Sequence, residues 1–126
     1  MAAKRHWKEL PDQHDYPAAA AYLSLVMPQN KADDVVSALR ATPVVHRKAK
    51  DLLRASNLPD LPPDNVHVAK DLAKVKTGRL LSPVLLVGGR RDAGVPLTIA
   101  DGYHRICASY HIDEDAVIPC RIVDES

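Results

Sequence analysis

The 126 residues, 46% of them hydrophobic, suffice for one core and are too few for two ordinary domains. Seventeen basic against sixteen acidic residues leave a formal charge of +1, which excludes a chain drawn by its overall field to nucleic acid or anionic lipid and makes any anion site local. No stretch approaches membrane-spanning length, and the basic start Arg5-His6-Trp7-Lys8 runs into Glu9, Pro11 and Asp12 rather than an apolar segment, so a cytoplasmic protein without membrane partners is expected.

Residues 1–15 lack periodicity and read as an arm that docks through Trp7. The alanine-led stretch 17–26 predicts a helix with Pro17 at its first position and Pro28 as its stop. Asn30 then serves as N-cap for a second helix, because Ala32, Val35, Val36 and Leu39 fall at i, i+3, i+4 and i+7. After Pro43 the alternation of Val45, Arg47 and Ala49 with His46, Lys48 and Lys50 predicts a short strand, and residues 51–56 add a helical turn.

Three prolines within residues 57–64 make a loop. Asp64 or Asn65 caps the next helix, whose apolar positions Val68, Leu72 and Val75 lead to a stop at Gly78, with Lys70 and Lys74 on its wet face. The run Pro83-Val84-Leu85-Leu86-Val87 is apolar at every position and predicts a strand covered on both faces. A glycine-flanked connection over 88–94 leads to a strand over 95–100, Asp101-Gly102 breaks it, and a helix runs over 103–110. The last strand spans 117–123, where Pro119 predicts an edge or the start of pairing. Cys107 and Cys120 lie in apolar segments and are expected as buried, reduced thiols.

The segment that carries chemistry is Asp101-Gly102-Tyr103-His104-Arg105. A helix start offers unpaired N–H groups and a positive dipole end; glycine lets the backbone come close to a ligand, and His104 and Arg105 add donors suited to phosphate. The same residues also fit a plain turn in which Asp101 caps the helix and Arg105 pairs with a nearby carboxylate.

Leu72-x-x-Val75-x-x-Gly78, the apolar run 83–87, a strand, Asp101-Gly102-Tyr103-His104-Arg105, a helix and the closing strand together resemble the ParB/sulfiredoxin-like superfamily over residues 44–123. The resemblance implies an α+β fold with a small mixed sheet and packed helices, residues 44–126, preceded by an arm and two-helix extension over 1–43, the whole one compact unit. It also implies a nucleotide, ATP or CTP with Mg²⁺, held by Gly102, Tyr103, His104 and Arg105, with Lys70 as an accessory and Asp101 and His104 as catalytic candidates. The sulfiredoxin nucleophile, a Cys between the Gly and the His, is here Tyr103, which cannot form the thiosulfinate. Two functions stay open: an ATP-dependent phosphotransferase or nucleotide hydrolase, and a non-enzymatic regulatory or interaction module linked to DNA partition or regulation, with a protein partner or a second copy on the N-terminal helices.

Overall fold

Side chains alternate along a strand, so a strand that is apolar at every position must be covered twice. In the computed structural model, which describes residues 5–124, strand β2 (Val84–Gly88) meets this demand. Val84 and Leu86 join one core, and Leu85 and Val87 join a second core on the opposite face.

Around β2 lies a four-stranded mixed sheet in the order β1-β4-β2-β3, where β1 is Val45–Lys48, β3 is Thr98–Asp101 and β4 is Val117–Asp124. β4 runs antiparallel to β1 and parallel to β2, and β3 runs antiparallel to β2. Helices α3 (Ala49–Ser56), α4 (Val66–Lys76) and α5 (Tyr103–Ile112) supply Leu52, Leu53, Val68, Ile106 and Cys107 to the first core. Helices α1 (Asp15–Leu23) and α2 (Gln29–Ala41) cover the other face with Tyr16, Leu23, Val35, Val36 and Leu39. The fold is therefore α+β with both sheet faces buried, and the two N-terminal helices complete its core.

Several boundaries differ from expectation, each for a local reason. α1 begins at Asp15, where the Asp15 amide already closes a turn on the Asp12 carbonyl, so Pro17 is its third residue. That position also tolerates proline, since the first four amides of a helix have no partner within it. Asn30 does not cap α2: the extended Pro28 stands directly before the helix, and no side chain caps it. Asn65 does cap α4, accepting from the amides of His67 and Val68. The strand expected over 95–100 narrows to Thr98–Asp101, with Val95 making only a bridge to Arg90. β4 is an interior strand, so Pro119 is not at an edge; β4 pairs with β1 over 117–120 and with β2 only from Cys120 onward, which places the missing amide before the second ladder starts.

Trp7 bridges to Leu81, and the Lys8 amide donates to the Leu81 carbonyl at 2.7 Å. Cys107 and Cys120 are free, buried thiols, and burial pushes Cys120 up to about 11. No helix among the described residues is long and apolar enough to cross a membrane.

A chain begun at Val44 would leave Leu85, Val87 and Ala100 facing water in place of α1 and α2. Each buried leucine side chain contributes about 1.5–3 kcal/mol, so the shortened chain is expected to lose its cooperative melting transition by circular dichroism. A retained sharp transition would make the extension dispensable.

Candidate functional site

The strand β3 ends and helix α5 begins across one residue, Gly102, at φ +112°. A side chain is excluded there twice over: the left-handed conformation disfavours it, and a Cβ would come within 2.8 Å of Val84 Cβ and 2.9 Å of Arg105 Nη2. Gly102, not Asp101, is the N-cap of α5, and no side chain caps the helix. The first amides of α5 are thus left for solvent or a ligand.

That helix end opens into a recess of about 230 Å³ between α4 and α5, lined by His67, Lys70, Asp71, Lys74, Asp101, Gly102, His104 and Arg105. The structure therefore brings together five of the residues that the sequence singles out: Lys70, Asp101, Gly102, His104 and Arg105. The two imidazoles of His67 and His104 stand 4.6 Å apart, centroid to centroid. Burial and the neighbouring His67 hold His104 below the ordinary histidine range.

Tyr103 is the exception. Its hydroxyl donates to the Pro59 carbonyl, which ties α5 to the proline loop and takes the ring out of the recess lining. Four further basic residues pair away from the recess: Lys48 and Lys50 with Asp115, Arg54 with Asp51 and Arg90 with Asp92.

Arg105 is turned inward. Its Nη2 lies 3.0 Å from Asp101 Oδ2, 3.8 Å from Asp15 Oδ2 and 3.4 Å from the Pro83 carbonyl, while Nε is buried without a partner. Asp15 is almost fully buried and also accepts from the Ser82 hydroxyl, which in turn accepts from the Asp12 amide at 3.0 Å. Burial pushes the Asp101 carboxyl above its ordinary value, Asp15 adds to the rise, and Arg105 opposes it. Asp101 is therefore not the helix cap; it is half of an ion pair with Arg105 under the turn.

Asp12, His14 and Asp15 place one donor atom each within 4.8 Å of one another. Lys8 at 2.8 Å from Asp12 and Arg105 beside Asp15 already balance that charge, so the cluster reads as a salt-bridged support for the turn. The residues that sequence reasoning missed are Asp15, Ser82 and Asp71. Asp71 follows Lys70 directly and precedes Lys74 by one helical turn, so the helical period could have found it; nothing local connects Asp15 to residue 105.

No family model, curated protein or solved structure matches this chain.

Proposed function

We propose that the recess binds the phosphate groups of a nucleotide, on a chain of ParB/sulfiredoxin-like fold. The observation that carries the reading is the convergence, on one uncapped helix start, of the Gly102 approach with Lys70, Lys74, His67 and His104. Amides and a helix dipole favour an anion, and four side chains that carry or can take positive charge surround it. At about 230 Å³ the recess has room for phosphate but not for a whole nucleotide, so sugar and base lie outside it. Its two carboxylates are engaged, Asp101 by Arg105 at 3.0 Å and Asp71 by Lys74 at 3.9 Å. The donor set thus does not fit a resident Mg²⁺, and the ion would come only with the nucleotide's own oxygens. With Asp101 committed to Arg105, the reading is a binding or regulatory protein rather than a phosphotransferase.

The test uses sulfate, which keeps its charge across the neutral range. His104 sits below the ordinary histidine value of about 6.5, so it is neutral at pH 8 and takes up a proton when an anion arrives beside it. Proton uptake on binding means that affinity rises as pH falls. Calorimetric titration from pH 8 to 6 is expected to show tighter sulfate binding at the acid end, with the rise much reduced in His104→Gln. A flat profile, or one that His104→Gln leaves intact, removes His104 from the site.

A further inference from the structure

The recess has unlike ends. On α4, Lys70 and Lys74 line it, and His67 lines it at the second residue of the helix, seven positions and roughly 10 Å of axis before Lys74. An anion is drawn toward the lysines and the open amides of α5, which leaves the His67 end for the part of the ligand that carries no charge.

His67 opens a row of rings. Its imidazole lies 4.6 Å from that of His104, and His104 lies 5.6 Å from the Tyr103 ring, centroid to centroid, so three rings run across the starts of both helices. The planes are tilted by 42° and 35°, so the rings do not cover one another face to face. One end of the row is anchored, because Tyr103 packs on the first core and its hydroxyl donates to the Pro59 carbonyl. The other end is open: His67 is exposed, and Val66 beside it in the chain is 72% exposed. A ring held by a packed neighbour and open to solvent offers a face on which a planar group can stack.

We propose that this row is the base subsite and that the nucleotide's base stacks on His67. The ligand class is thereby a phosphate ester that carries a planar aromatic group, and His67 is the residue that separates nucleotides from other phosphates. The assignment rests on the phosphate reading of the recess. It deepens that reading, because a recess of about 230 Å³ that takes only phosphate cannot by itself tell one phosphate ester from another. Every base has a π-face, so stacking supplies affinity without altering the charge that the lysines meet.

Calorimetric titration of the full chain with AMP and with ribose 5-phosphate isolates the base, since both carry the same sugar and phosphate. AMP is expected to bind roughly five- to a hundredfold more tightly, the range that one stacked base contributes. His67→Gln removes the ring at an exposed position, so circular dichroism should be unchanged and the ratio should fall to about twofold or less. His67→Phe keeps a ring without the imidazole's donors and should hold the ratio at about fivefold or more. The ratio is read rather than either affinity, because His67 also stands beside the phosphate. Equal affinities for AMP and ribose 5-phosphate in the wild type overturn the base subsite and leave the phosphate reading intact, whereas failure of both to bind overturns the two together. A ratio that survives in His67→Gln, or that His67→Phe loses, removes His67 from the subsite and overturns the assignment.

Discussion

Gly102→Ala is expected to lower the unfolding free energy by about 2–4 kcal/mol, the sum of a left-handed backbone strain and an overpacked contact. The site offers no relief, because the new Cβ meets Val84, which is fully buried in the first core, on one side and the Arg105 guanidinium on the other. Gly94→Ala is the internal control. Gly94 also has positive φ, at +69°, but nothing stands within 4 Å of its Cβ, so only the backbone term of about 1 kcal/mol should appear. Urea midpoints at constant slope measure both. Equal losses in the two variants would mean that the Val84 contact relaxes and that the turn is not held as tightly as its geometry implies.

Arg105→Ala is expected to cost about 3 kcal/mol, because it removes the cation from two carboxylates of which Asp15 is only 3% exposed. This is a stability effect first. The sequence places Arg105 where phosphate contact is natural, but the folded side chain is already spent on Asp101 and Asp15. The loss carries a pH signature. Asp101 titrates above its unfolded value, so the folded state holds the proton more tightly than the unfolded chain does. The penalty for its ionised form is present at neutral pH and relaxes as pH falls through the folded value. Without Arg105 that penalty grows, and the gap between variant and wild type should narrow as pH falls from neutrality. A gap that stays constant over that fall would assign the loss to packing of the arginine stem instead of to charge.

The contrast between these two residues marks what was legible in the sequence. Gly102 could be read locally, since a strand, a glycine and a helix start make the turn and the turn makes the helix end. The apolar run 84–87 and the α2 stripe Val35, Val36 and Leu39 were equally local, because burial follows the two periods that strand and helix impose. The order of the sheet was not. Pro119 speaks only of a missing amide, and that is met within an interior strand by staggering the ladders to β1 and β2. Nor could the direction of Arg105 be read, because its partner Asp15 lies ninety residues away in the chain and arrives only through α1 packing against β3. The same packing buries the α2 stripe and, from α1, Tyr16, Ala19 and Leu23. Arg121 secures it further, donating to the Arg40 carbonyl at 2.7 Å, to the Leu39 carbonyl and to the Tyr16 hydroxyl.

Because the central claim is that phosphate sits on the amides that open α5, the most direct measurement is a nitrogen–proton correlation spectrum titrated in turn with ATP, CTP and inorganic phosphate. Saturable shifts are expected to be largest at the backbone amides of Gly102, Tyr103 and His104, smaller at Lys70 on the facing helix, and absent at Val117 and Ile118 of β4, which lie outside the recess. Spectra in which the residues 102–104 stay still under all three titrants, or in which the shifts gather elsewhere, would contradict it.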